Sequence, residues 1–390
     1  MQISCRPRRT FQPPFTGGCR NAKLPPLKWS FYINDTRQRV RPNINVRRHP
    51  VNNPRQELIS LLRGLFACPV ISFLGRRGFV DALTNSGLSF DADDRRTDEL
   101  VSLLRYLVAL GLLDEAAPLR FTATELGHKV FQRFGAFCLI DSYDEYFRDL
   151  DWVLPQSNLP RPSVNRERNV IGSGQLHARK FFPAVLSHIA DTPYEHLTDL
   201  GCGDGTFIHE ALTVRPALSV TAVDLSEQAI SMVHQRLSAH HPSTKYSSAV
   251  CCALDVSGWA AALPVRAEAR QLITMWFLLH EIFDGDVGRL AGFFCQLHHR
   301  FPSASVAFGE LFRLSPEQMA SSRHESIMPE YVLFHALSGQ HLMSEKELSG
   351  LLSQIPYRLV YRQTFDPVLH GSRPVPSSVV CILAPVTMGS

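Results

Sequence analysis

The run Leu197-Thr198-Asp199-Leu200-Gly201-Cys202-Gly203-Asp204-Gly205, followed by Ala222-Val223-Asp224, constrains the fold of this 390-residue chain more than any other segment. It reads as a buried strand, a glycine-rich turn, a helix and a second strand that ends in an acid. That is one half of a nucleotide-type α/β site. The glycines let the backbone approach a ligand where a Cβ would collide, and the acid after the second strand can accept both hydroxyls of a ribose. Gly201, Gly203 and Gly205 are spaced differently from the G-x-G-x-x-G of dinucleotide oxidoreductases. No Walker-type lysine follows either.

Around this centre the chain alternates strand and helix. Residues 196–200, 219–224, 248–254, 270–276 and 304–310 read as strands, and Tyr357 to Val386 supplies two more strand-like runs. Such alternation predicts a doubly wound α/β fold, a largely parallel sheet with helices on both faces. Upstream, the pattern from Glu57 to Phe134 is helical. Leu58, Leu61, Leu62, Leu65 and Phe66 share one face, and Val101, Leu104, Leu107 and Val108 another, with Gly111 placed to end that second helix. Leu119 to Thr122 reads as a short strand, and Thr122 to Glu125 as a cap for the next helix.

The net charge of +4 misleads, because residues 1–55 carry twelve Lys/Arg against Asp35 alone, which leaves −7 for residues 56–390. The basic balance belongs to a Pro/Arg-rich tail with too little apolar content to order itself, and the mildly acidic remainder argues against nucleic-acid partners. No run of eighteen apolar residues occurs, which argues against a membrane-spanning helix. The nine cysteines are scattered, odd in number and free of CxxC, so reduced thiols in a cytoplasmic protein are expected rather than disulfides or zinc.

The glycine turn and Asp224 together resemble the class I S-adenosylmethionine-dependent methyltransferases, which have a Rossmann-like seven-stranded sheet. On that resemblance S-adenosylmethionine is the cofactor, held by Asp199, Gly201, Gly203, Gly205, Asp224, Asp255 and Val256. Asp199 would meet its amino group, Asp224 the ribose, Asp255 the adenine amino group, and Val256 would pack on the ring. The helices and small β-wing upstream resemble the N-terminal winged-helix domain of small-molecule methyltransferases. This implies a tail over 1–55, a dimerisation domain over 56–135, a helical connector over 136–185 and a catalytic domain over 186–390. The expected assembly is a homodimer acting on a small-molecule acceptor.

A second run, Thr274 to Asp284, delivers His280-Glu281 at the end of an apolar strand, where open α/β sheets place their ligands. It resembles the "LHDW" segment of winged-helix O-methyltransferases, with Glu281 and Ile282 departing from that pattern. The resemblance makes His280 the general base, a role suited to an imidazole near pH 7, with Glu281 orienting it. A third run, Glu325 to His341, carries Glu330 and His335 in an otherwise apolar helix. Together these runs resemble the 2-oxo acid C-methyltransferases that act on 2-ketoarginine (5-guanidino-2-oxopentanoate) at C3, in specialised amino-acid metabolite biosynthesis. In that reading Asp141, Asp144 and Glu145 would meet a guanidinium, and Arg179 or Arg323 a carboxylate. No metal is assigned, although His280, Glu281 and His335 are the types a ferric site in related enzymes uses. O-methylation of a small hydroxylated metabolite, and a non-catalytic winged-helix regulator, are the alternatives.

Overall fold

The computed structural model describes residues 54–91, 97–261, 263, 269–322, 327–365, 368–370 and 373–386. The basic tail up to residue 53 and Arg323 therefore lie outside the described residues. The chain divides into two compact units, Ser4–Arg63 and Gly64–Ser390. Of the first, only the opening turns of the helix Pro54–Arg76 are described.

Within the larger unit, β1 (Leu88–Ser89), β2 (Leu113–Ala117) and β3 (Arg120–Ala123) form an antiparallel sheet of order β1-β3-β2. Helices Phe79–Asn85, Asp98–Ala109 and Glu125–Phe131 pack with it around Ile71, Leu74, Leu83, Leu104, Leu107 and Phe121. Gly111, at φ 73°, follows the helix it was expected to end. Within the run Thr122 to Glu125 the capping residue is Thr124, whose hydroxyl accepts the Gly127 N–H at 2.9 Å.

The expected leucine face of the first helix is corrected. Leu58, Leu61, Leu62, Leu65 and Phe66 are all exposed, and burial begins further along at Ile71, Ser72 and Leu74. By length and composition alone this helix could cross a membrane. Counting uninterrupted apolar runs misses it because Arg63 breaks the run.

From His196 onward the architecture is doubly wound. The strands are β4 (His196–Leu200), β5 (Ser219–Asp224), β6 (Tyr246–Val250), β7 (Gln271–Trp276), β8 (Ser305–Leu311), β9 (Tyr357–Phe365) and β12 (Ser378–Pro385). A two-stranded ladder, β10 (Val368–His370) with β11 (Arg373–Val375), stands apart. The seven-stranded order is β6-β5-β4-β7-β8-β12-β9, with β4 to β8 parallel and β12 antiparallel to both neighbours. Both faces of β4, β5, β7, β8 and β12 are covered, so these strands are buried almost throughout rather than alternating, while the edge strand β9 is largely exposed. Leu197, Val220 and Leu272 pack on one side, and Leu200, Val223 and Ile273 on the other. The strand expected at 248–254 ends at Val250 instead, which frees Cys251 to Leu254 to run as a loop toward Asp255.

The strand order reverses between β4 and β7, and at such a switch point a crevice opens beyond the carboxyl ends of the strands. The turn after β4 lies there, with Gly201, Gly203 and Gly205 at φ 70°, 54° and 74°. A Cβ at Gly205 would come within 2.9 Å of Val233 Cγ2 in the helix Glu227–His240. Gly205→Ala therefore combines a left-handed backbone with a clash, and we expect it to destabilise the chain by about 1–3 kcal/mol. Urea unfolding measures this, and a change below 0.5 kcal/mol contradicts it.

Candidate active site

The carboxyl ends of β4 and β5 are tied together by the turn between them. Gly201 and Cys202 donate their N–H groups to the Val223 carbonyl at 2.8 and 3.1 Å. Gly203 N–H donates to Asp224 Oδ2 at 3.1 Å, while Asp224 Oδ1 accepts the Ser226 N–H at 2.9 Å. Asp224 thus fixes the glycine turn, and Ser226, whose hydroxyl accepts the Ala229 N–H, caps the following helix Glu227–His240. Burial raises the Asp224 carboxyl above its ordinary range, against these two N–H bonds.

Asp199 is fully buried at the end of β4. Its Oδ1 accepts the Thr274 hydroxyl at 2.6 Å, and its Oδ2 has no partner. Burial, with the charges of Asp224 and Asp204 adding, pushes this carboxyl up to about 7 despite the Thr274 bond. Asp204, within the same turn, is a clamp. It accepts Thr206 N–H and Oγ1 at 3.1 and 2.7 Å and pairs with Arg236 at 2.8 Å. Asp255 is exposed and caps the helix Val256–Ala260 by accepting the Gly258 N–H at 2.9 Å, with Val256 buried beneath it.

These groups fit S-adenosylmethionine. A buried carboxylate oxygen without a donor, Asp199 Oδ2, suits an ammonium group. The turn offers side-chain-free backbone, and a Cβ on Gly203 would meet nothing closer than Val170 at 3.7 Å. Asp224 keeps lone pairs for ribose hydroxyls beyond the two it uses.

The chemistry-bearing end of β7 lies beside this turn. Phe277 has φ 54°, a strained value for a bulky side chain. Its N–H donates to the Gly309 carbonyl at 3.0 Å, and its ring stacks on buried His177 at 3.6 Å. That reversal starts the short helix Leu279–Ile282 and turns His280 toward β8. There Glu310, fully buried, meets His280 twice. Its Oε1 contacts Nδ1 at 2.8 Å, and its Oε2 accepts the backbone N–H at 3.0 Å.

Burial by itself pushes the His280 imidazole down, but the Glu310 carboxylate outweighs it and holds the group above its ordinary value. With Nδ1–H donated to the carboxylate, Nε2 carries the lone pair. The expected orienting role of Glu281 is thus corrected. Its carboxylate pairs with Arg166 at 3.1 Å and acts on the imidazole through charge alone, so Glu310 positions the ring.

On the far side, His335 lies edge-on to His280 with ring centres 4.6 Å apart, and Glu330 is exposed. An aromatic wall continues from there through Tyr331 and Phe334 to Tyr143, stacked on Phe334 at 4.4 Å. The acids expected to meet a guanidinium are engaged elsewhere. Asp141 accepts the Ser72 hydroxyl at 2.7 Å and pairs with Arg168, as does Asp144, and Glu145 accepts from Ser163. Arg179 is exposed. Among the described residues no group of three His, Cys, Asp or Glu is arranged to hold a metal. Glu310 was legible in principle as a lone acid in the apolar strand Val306–Leu311. Arg166 and Tyr143 carried no sequence signal.

Residues 197–291 match the family model described as "Methyltransferase domain". Trans-aconitate 2-methyltransferase of Klebsiella pneumoniae is 30% identical over 120 residues, 30% of this chain. The chain spans less than half of that curated relative, 44%. An O-methyltransferase family protein from Burkholderia thailandensis superposes with a TM-score of 0.55 at 13% identity, covering 86% of this chain and 99% of that one. The mitomycin 7-O-methyltransferase superposes with a TM-score of 0.50 at 14% identity, covering 85% and 98%. At such identities the two structures establish a shared fold. The matched residues hold β4, the glycine turn, β5 and β7, so this part of the sheet is similar to a methyltransferase domain.

Proposed function

We propose that this chain methylates a hydroxyl oxygen of a small planar acceptor, with S-adenosylmethionine as donor and His280 as general base. The observation that carries the reading is the His280–Glu310 pair. Nδ1–H is committed to a buried carboxylate, and Nε2 is left as a proton acceptor beside the Tyr143–Phe334–Tyr331 wall. Aromatic side chains favour a flat partner through offset stacking. The donor would be held by Asp199 at its ammonium, by the Gly201–Gly205 turn, by Asp224 at the ribose, and by Asp255 and Val256 at the adenine. When bound, it supplies an electrophilic methyl group to the deprotonated oxygen. His280 takes the hydroxyl proton, Glu310 stabilises the imidazolium that results, and the aromatic wall excludes water.

Transfer to the carbon beside the ketone of a small 2-oxo acid is the second reading. Arg166 favours it, as a guanidinium within electrostatic reach of His280 that a carboxylate would suit. His335 speaks against it, because a neutral imidazole that spends its N–H on the Tyr331 carbonyl has no donor for an enolate oxygen. The 2-ketoarginine form finds Asp141, Asp144 and Glu145 already engaged. The regulator alternative has no such observation in its favour. The winged-helix dimerisation domain over 56–135, the connector over 136–185, the homodimer and the cytoplasmic location are carried into this proposal from the family resemblance.

Calorimetry on the full chain tests the donor site. Asp199 titrates at about 7 when no cation faces it, and an ammonium group binds its carboxylate rather than its acid. Affinity for S-adenosylmethionine therefore rises with pH toward about 7 and then levels, with proton release below that value. Asp199→Asn flattens the dependence and weakens binding about 10-fold or more. No binding at millimolar donor overturns the whole reading. Mass-spectrometric detection of one added methylene on phenols, against deuterium exchange at C3 of 2-ketoarginine, separates oxygen from carbon transfer.

A further inference from the structure

His335 is a buried polar group that base and donor leave unused. It lies in the last turns of the helix Met328–Ser338, and its Nδ1 meets the Tyr331 carbonyl at 2.6 Å. A carbonyl only accepts, so the hydrogen resides on Nδ1 and Nε2 is a bare lone pair. The neighbouring ring, His280, is in the same condition, with its Nδ1 committed to Glu310. Two imidazoles with centres 4.6 Å apart thus each carry a lone pair on Nε2, and neither Nε2 has a partner among the described residues. They are not sealed off as Tyr331 Oη is, which is buried with nothing to bond. Burial pushes the His335 imidazole down to about 3, and the His280 charge acts in the same direction. When His280 gains a proton, His335 therefore remains a neutral acceptor.

One acceptor hydroxyl satisfies only one of these two lone pairs. Once a bound acceptor covers these nitrogens, one left without a donor carries a desolvation cost, and a site built to bond a substrate O–H or N–H rejects analogues that lack it. We propose that His335 is a specificity-determining residue that accepts a hydrogen bond from a second donor adjacent to the hydroxyl His280 deprotonates. The acceptor class is then a planar molecule with two neighbouring donors, either vicinal hydroxyls or a hydroxyl beside an N–H. This inference rests on the oxygen-transfer reading above.

The test uses the full chain with S-adenosylmethionine, and catechol and phenol as paired probes, each followed by mass spectrometry. Catechol is favoured in kcat/KM by about 10- to 100-fold. In His335→Phe, which removes the lone pair and keeps an aromatic ring, the ratio falls to about one. His335→Gln, which restores an acceptor oxygen in a good helix former, recovers most of the preference and guards against a folding defect in the first variant. Equal use of both probes by the wild type, or an unchanged ratio in His335→Phe, overturns the inference alone. A wild type that binds S-adenosylmethionine yet methylates neither probe overturns the oxygen-transfer reading as well.

Discussion

His280→Ala lowers kcat for methyl transfer by about 100- to 10,000-fold, the range expected when a positioned general base is removed. Affinity for S-adenosylmethionine holds within about threefold, because Asp199 and Asp224 sit on β4 and β5 while His280 follows β7. The substitution leaves the Glu310 carboxylate buried, still accepting the backbone N–H groups of residue 280 and of Leu311. The chain should therefore fold, and added imidazole should recover part of the rate by filling the vacated space. Single-turnover kinetics with saturating donor isolate the chemical step. A rate within tenfold of the wild type removes His280 from the base role.

Glu310→Gln is the second large effect, and it acts through His280. Three N–H groups converge on the two Glu310 oxygens: His280 Nδ1, His280 N and Leu311 N, at 2.8, 3.0 and 2.8 Å. An amide turns one of those oxygens into a donor, so at least one buried N–H loses its acceptor, at about 1–3 kcal/mol of stability. Charge matters too. The carboxylate holds the His280 group above its ordinary value against burial, and its removal lets burial prevail. A base works deprotonated, so the acid limb of the pH–rate profile lies above 6.5 in the wild type and moves to lower pH in the variant. We expect kcat at neutral pH to fall about 10- to 1,000-fold as well, since the developing imidazolium loses its partner.

Stability shows the same linkage. A raised histidine value stabilises the fold below the unfolded value, and the contribution is lost as pH rises through the folded one. The stability gap between wild type and Glu310→Gln is therefore widest at acid pH. A pH–rate profile that does not move contradicts the positioning role, even if the variant is less stable.

The turn proposed to hold the donor was legible in the sequence as a turn, and much of the side proposed to face the acceptor was not. Asp199, Gly201 and Asp224 lie in short runs whose local order is also their spatial order, a strand end, a turn and the next strand end. The sheet followed from the same logic, because strands buried on both faces are continuously apolar. His280 could be read for the same reason. Glu310 stood out only as a lone acid in an apolar strand, and its pairing with His280 could not be read, because β8 lies alongside β7 only through the parallel crossover. Glu281 was the nearer acid in the chain, yet a residue that follows another on a short helix points elsewhere, here to Arg166. Asp141 and Asp144 looked free because Ser72 and Arg168 meet them only in the folded chain. The exposed leucines of the first helix show a further limit of periodicity, which identifies a face without saying what covers it.

The backward turn at Phe277 has a consequence for how this enzyme can be re-engineered. His280 is held at both its peptide N–H and its ring by one side chain of the central sheet. The wall of aromatic residues, by contrast, stands on the helix Met328–Ser338 and on Tyr143, neither of which belongs to the sheet. Remodelling that wall leaves the His280–Glu310 geometry in place, so in the proposed reaction selectivity and reactivity are separable design variables.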